Sequence, residues 1–264
     1  VAETPGALFT ELVEIMARLR GENGCPWDRE QTPETLTPYL VEETYEVLEA
    51  IDEKNPAKLR EELGDLLLQV VFHARMAEET GAFAIADVLA TINGKLRRRH
   101  PHVFGDVKAE TAEDVVVNWE QIKRAERQQA HGQASILDGV PKELPALLRA
   151  SRLQEKASRV GFDWREVRDV LPKVEEELAE LRTAMQGQRQ DRMEEELGDL
   201  LFALVNLSRF IGVNPEESLR KSIARFVARF RYIEDQLARR GRSTRQATLE
   251  EMDALWEEAK AHGK

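Results

Sequence analysis

The feature that most constrains this chain is an acidic pattern that occurs twice in one register. In the second half it reads Glu176-Glu177-Leu178-Ala179-Glu180, then Glu194-Glu195-Glu196-Leu197-Gly198-Asp199. In the first half it reads Glu42-Glu43-Thr44-Tyr45-Glu46, then Glu61-Glu62-Leu63-Gly64-Asp65. Glu43 and Glu177, Glu46 and Glu180, Glu62 and Glu196, and Asp65 and Asp199 are each separated by 134 positions. One offset shared by four pairs marks a duplication, and a duplicated chain of 264 residues favours two domains. The expected division is 1–130 and 146–264, joined by a linker at 131–145 that carries glycine and proline.

Residues three apart on a helix are neighbours, about 5–6 Å between Cβ atoms. Glu177 with Glu180, Glu196 with Asp199, and their first-half counterparts therefore each make a carboxylate pair on one helix face. Midway between the two pairs stands a turn signal, Gln186-Gly187-Gln188 in one half and Lys54-Asn55-Pro56 in the other. If each turn joins antiparallel helices, the pairs lie level and four carboxylates converge. Such a group repels itself unless it faces water or holds a cation. The run Leu200–Leu207 is apolar all round apart from Asn206, which predicts a segment buried on several sides with Asp199 at its mouth. Donors that are all oxygen, with no histidine or cysteine nearby, suit Mg²⁺, with Mn²⁺ as a substitute, rather than zinc or redox iron.

The rest of the chain reads as helices, with weak strand signals, so the expected fold class is all-α. Leu8, Leu12, Ile15, Met16 and Leu19 mark a first helix, and Cys25–Asp28 a loop. The first acidic hairpin follows, from about 35 to 80. Ile85 to Leu96 is a further helix, 100–114 a loop, and a helix passes through Trp119, Ile122 and Lys123. The second half repeats this order: a helix from 146 to about 160, a loop at 161–164, the second hairpin and a long helix to about 240. Asp191 with Glu194 resembles a capping box opening the hairpin's second arm, and Thr248 with Glu251 one opening a terminal helix. A net charge of −11 argues against general affinity for nucleic-acid backbones or anionic membranes. No apolar run approaches the roughly 18 residues of a membrane span, 1–10 lacks a signal-peptide pattern, and the lone Cys25 suits a reducing compartment. The expected location is the cytoplasm, with no membrane partner.

The repeat extends past the acids. Asn118–Lys123 parallels Leu255–Lys260, and Lys95 and Arg99 align with Arg225 and Arg229. Each half thus pairs an acidic hairpin with a basic helix and a tryptophan-lysine helix, which suits a nucleotide. Trp256 and Trp119 are equally suited to a core or interface, and the arginines to a solvated helix face. The halves also differ: Asn206, seven positions after Asp199, has Phe72 as its counterpart, and phenylalanine cannot hydrogen-bond a ligand.

With its doubled Glu-Glu-x-x-Glu and Glu-x-x-Asp elements, the stretch Cys25–Thr32, and Arg98-Arg99-His100-Pro101-His102-Val103-Phe104, the chain resembles the MazG family of all-α nucleoside triphosphate pyrophosphohydrolases over almost its whole length. One departure is Pro33, where histidine is expected from the family. The resemblance implies tandem helical domains and Mg²⁺-dependent hydrolysis of nucleoside triphosphates between the α and β phosphates, with a housekeeping role in nucleotide pools. It assigns metal binding to Glu177, Glu180, Glu196 and Asp199, the expected catalytic set, and to Glu43, Glu46, Glu62 and Asp65. Arg225 and Arg229 become candidates for the triphosphate, Trp256 for stacking on the base, and Lys260 for the nucleotide, with Lys95, Arg99, Trp119 and Lys123 as first-half counterparts and Asn206 as a further ligand contact. The second half is expected to be the principal catalytic site, and the bundles to be completed by homodimerisation. Two other classes compete. A di-iron oxidoreductase would want Glu-x-x-His motifs, which neither Glu62 nor Glu196 provides. A non-catalytic helical scaffold or regulatory protein would show no divalent-dependent turnover. No Walker-type glycine loop is present.

Overall fold

The protein is seen in a computed structural model that describes residues 4–131 and 135–263. The chain divides into two compact units at residue 130. Among the described residues all regular structure is helical, as the periodicity predicts.

The first unit contains α1 (Pro5–Leu19), α2 (Pro26–Glu30), α3 (Pro33–Asp52), α4 (Pro56–Glu79), α5 (Ile85–Arg99), α6 (Pro101–Phe104) and α7 (Ala112–His131). Proline opens α1, α2, α3, α4 and α6, where a helix has no partner for the missing N–H and wants the fixed φ. Thr4, Thr32 and Asn55 accept the freed N–H groups of the first turns of α1, α3 and α4. The α3–α4 hairpin packs on α1 through a core of Met16, Leu36, Val71, Phe72 and Met76. Each such buried side chain contributes about 1.5–3 kcal/mol.

The second unit contains α8 (Ala146–Ser158), α9 (Val167–Gln186), α10 (Gln190–Phe210), α11 (Pro215–Arg239) and α12 (Leu249–Ala261). Its hairpin, α9–α10, packs on α8, while α11 pairs with α12 around Ile233, Leu237 and Leu255. The two hairpins match in detail. Both first arms carry a proline inside the helix, Pro38 and Pro172, and both turns place a non-glycine residue in the left-handed region, Lys54 and Gln188, each at φ 51°.

Several local expectations are corrected. The Cys25–Asp28 stretch is not open loop: Pro26 starts a short helix, and Arg20 holds it by donating to the carbonyls of Asp28 and Gln31 while pairing with Glu79 at 2.7 Å. The 100–114 stretch contains the single turn α6 and the first turn of α7. Asp191 is no cap, because α10 begins at Gln190 and Asp191 pairs with Arg189 at 2.9 Å. Thr248 and Glu251 do form the expected capping box. The run 200–207 is buried on one side only. Ala203, Val205 and Asn206 face inward, whereas Leu201, Phe202 and Leu204 are exposed, and Asp199 at its head is exposed too. An apolar stripe wider than the intramolecular partners leaves part of the helix uncovered.

Candidate metal and nucleotide site

The second hairpin brings Glu177 from α9 to Glu196 and Asp199 from α10. One carboxylate oxygen of each lies within 4.8 Å of the others. The i,i+3 spacing places Glu196 and Asp199 on one face of α10, and the antiparallel turn lays Glu177 opposite. Three of the four expected acids converge; Glu180, exposed, stands beside this trio, near enough for its charge to act on Glu196. Burial is uneven: Glu177 and Glu196 are 5% and 4% exposed, while Glu180 and Asp199 face solvent.

Burial holds the Glu196 carboxyl above its ordinary range; Arg192 opposes this and Glu180 adds to it. A neighbouring carboxylate of like charge disfavours ionisation of a buried acid. Two cations clasp the buried acids: Lys173 Nζ lies 2.7 Å from Glu177 Oε1, and Arg192 Nη2 lies 2.8 Å from Glu196 Oε1. Both are i,i+4 pairs on one helix. Pairing to Glu177 and then to Glu176 raises the Lys173 ammonium above its usual range. The sequence reading missed these two residues, although their spacing from the acids is visible in it.

The first hairpin gathers Glu43, Glu62 and Asp65 in the same way, with one oxygen of each within 4.8 Å of the others and all three half-buried. Glu46 lies beside Glu43 as Glu180 lies beside Glu196. Burial first, then the charges of Asp65, Glu46 and Glu62, raise the Glu43 carboxyl; Glu62 is raised by burial, then by Glu46, Glu61 and Asp65.

The donor set fits a hard divalent cation. Every candidate ligand is a carboxylate oxygen, and Glu177 Oε2 is a buried acceptor with no hydrogen-bond partner. A buried, unpartnered carboxylate oxygen is costly unless something positive meets it.

The other candidates form a second pattern, again duplicated. The Arg229 guanidinium lies over the Trp256 ring at 5.3 Å, and Arg99 lies over Trp119 at 5.4 Å. Phe226 also packs on Trp256, at 5.4 Å between centroids. Arg99 is bound to Glu126 at 2.6 Å, and Lys260 to Glu257 at 2.8 Å. Arg225 is exposed, Lys95 and Lys123 are half-buried. Asn206 is buried beside the second hairpin's core, and its Oδ1 accepts from Arg209 Nη2 at 2.9 Å. Arg209 in turn pairs with Asp163 of the loop before α9. The structure thus assembles the acids on the hairpins, and the arginine-tryptophan pairs on α5 with α7 and on α11 with α12.

Fold and carboxylate geometry together define a class: tandem all-α proteins whose helical hairpins gather oxygen donors between facing helices. Comparison with known proteins agrees and narrows it. The profile of the MazG nucleotide pyrophosphohydrolase domain matches this chain twice, over residues 31–104 and 165–232. The chain is 50% identical to the nucleoside triphosphate pyrophosphohydrolase/pyrophosphatase MazG of Thermotoga maritima, covering 97% of this chain and 96% of the relative. It is also 50% identical to the nucleoside triphosphate pyrophosphohydrolase of Escherichia coli K12, covering 94% and 95%. The chain belongs to the MazG nucleotide pyrophosphohydrolase family. Among the described residues no helix is long and apolar enough to cross a membrane.

Proposed function

We propose that this protein hydrolyses nucleoside triphosphates between the α and β phosphates, releasing a nucleoside monophosphate and pyrophosphate, with Mg²⁺ as the cation and the second hairpin as the principal site. The observation that carries the reading is the buried Glu177 carboxylate, whose Oε2 has no partner while its neighbours Glu196 and Asp199 lie within ligand-sharing distance. Glu177, Glu180, Glu196 and Asp199 hold the cation, and in the first unit Glu43, Glu46, Glu62 and Asp65 do so. The cation neutralises phosphate charge and lowers the pKa of water. Within the cluster, a carboxylate orients the attacking water or takes its proton.

Around it, Arg225 and Arg229 reach the triphosphate, and Lys260 contacts the nucleotide. Trp256 offers a ring for the base, with Arg229 already stacked on one face of it. Lys95, Arg99, Trp119 and Lys123 serve the first unit. The Asn206 carbonyl oxygen is taken by Arg209, so its amide nitrogen is the donor a ligand meets. The exposed apolar side of α10, with Leu219, Ile223, Phe226 and Val227 of α11, is covered in a homodimer. The family likeness supports a housekeeping role in clearing nucleotides, in the cytoplasm.

The test is product analysis by anion-exchange chromatography after incubation with ribo- and deoxynucleoside triphosphates, with and without Mg²⁺. Monophosphate and pyrophosphate in equal amounts, lost with EDTA and in Glu196→Ala, are expected. Diphosphate with orthophosphate would overturn the α–β assignment. Absence of turnover on every substrate would overturn the enzymatic reading.

A further inference from the structure

The two carboxylate clusters share their acids but not what neutralises them. In the second unit Lys173 Nζ reaches Glu177 at 2.7 Å and Glu176 at 2.9 Å, while Arg192 reaches Glu196 at 2.8 Å and Glu195 at 2.6 Å. Each cation therefore straddles one buried acid of the cluster and one exposed acid outside it. At the matching positions of the first unit stand Tyr39 and Lys58. Tyr39 carries no positive charge, and Lys58 turns to the hairpin's end, 2.6 Å from Glu49 and 3.2 Å from Glu53, from where its charge favours the ionised form of Glu62 without bonding it. Among the described residues Lys58 forms its ion pairs outside the cluster, and none joins Glu43, Glu46, Glu62 or Asp65 to a cation.

We infer that Lys173 and Arg192 are built-in counter-ions that compete with a divalent cation for Glu177 and Glu196, so that the second cluster takes up free metal more weakly than the first. This rests on the metal reading proposed above. A divalent cation entering the second cluster meets two positive charges already bonded to its buried inner carboxylates, and like charges at ion-pair range repel even though the lysine and arginine are themselves partly solvated. It must displace them, and Glu176 and Glu195 give each displaced cation a place to stay. In the first cluster no ion pair has to break. There the four acids instead repel one another until a cation arrives, which favours uptake. The orphan Oε2 of Glu177 is consistent with a site poised for a cation but half-occupied by an internal one.

The experiment is a Mn²⁺ titration without nucleotide, read as free Mn²⁺ by electron paramagnetic resonance. Glu62→Ala protein reports the second cluster and Glu196→Ala protein the first, with circular dichroism as the folding check. The first cluster should bind Mn²⁺ about tenfold more tightly than the second. Adding Lys173→Gln and Arg192→Gln to the Glu62→Ala protein should close that gap. Adding Tyr39→Lys to the Glu196→Ala protein should weaken the first cluster. Unchanged or weaker Mn²⁺ binding after removal of Lys173 and Arg192 would overturn the counter-ion role and make them props for the carboxylates. No Mn²⁺ uptake by any protein, wild type included, would overturn the metal reading itself.

Discussion

Glu196 concentrates the electrostatic tension of the second cluster: it is buried, beside the like charge of Glu180, and held by one arginine. Its carboxyl is raised in the folded chain, as are those of Glu43 and Glu62. The native state therefore holds more protons than the unfolded chain just above the ordinary glutamate range, and stability falls as pH rises through it. A bound divalent cation favours the ionised form and reverses that loss. The expected result is a larger rise in Tm on adding Mg²⁺ at pH 7 than at pH 5, measured by calorimetry; an equal rise at both would argue against the clusters as its site. Glu196→Gln keeps the shape and removes the charge, and should lower turnover about 10²-fold or more, in the range seen when one preorganised electrostatic contact is lost. Steady-state kinetics at saturating Mg²⁺ checks this.

At the scale of the element, the hairpin is the centre of the duplicated unit, and its turn is under mild strain. Lys54 and Gln188 both sit at φ 51°, where a side chain costs about 1 kcal/mol relative to glycine. Lys54→Gly and Gln188→Gly should each stabilise the protein by at most about 0.5 kcal/mol in urea unfolding, because the added freedom of the unfolded chain offsets about 0.4–1 kcal/mol of the relief. The α11–α12 pair shows the opposite pH sign from the clusters. Arg242 binds Glu251 and holds its carboxyl down to about 2. The stability this pair contributes is present above the ordinary glutamate range and is lost as pH falls toward that value. In Glu251→Gln the acid limb of the Tm profile should be shallower.

Over the whole molecule, the halves retain the same acids and differ around them. Phe72 belongs to the first unit's core, with the Arg20 guanidinium 5.4 Å from its ring, whereas Asn206 is tied through Arg209 to the loop before α9. This supports a division of labour in which Glu196→Ala abolishes most turnover and Glu62→Ala much less. The reverse ranking in matched kinetics would place the principal site in the first unit. The uncovered apolar side of α10 predicts association: Phe202 is 49% exposed, and Phe202→Glu should shift the protein to a smaller species in sedimentation velocity and reduce activity. A wild-type protein that sediments as a monomer would remove the dimer from the proposal.

The hairpins and their acids were legible because both rest on local rules. The i,i+3 spacing of Glu196 and Asp199 dictates a shared helix face, and repetition at one offset makes coincidence untenable. The short helix after Cys25 and the true start of α10 were not, since Arg20 and the packing of the turn select them over the capping signal at Asp191. The i,i+4 spacing of Lys173 from Glu177 was equally visible, yet its meaning was not: Lys58 has the same spacing from Glu62 and pairs elsewhere. Whether a long flexible cation folds onto an inner acid, an outer one or solvent depends on which carboxylate the neighbouring helix buries. The same holds for Asp163 and Arg209, which are far apart in the chain and meet only when α9 and α10 are in place. Sequence alone determined the all-α class and the duplicated hairpins with their acids in one register, because helix periodicity is a property of residues within a few turns of one another and a repeat is visible at a fixed offset. The depth of Glu177, its unpartnered oxygen and the unequal neutralisation of the two clusters came from tertiary structure, because burial and pairing are relations between helices rather than properties of either one.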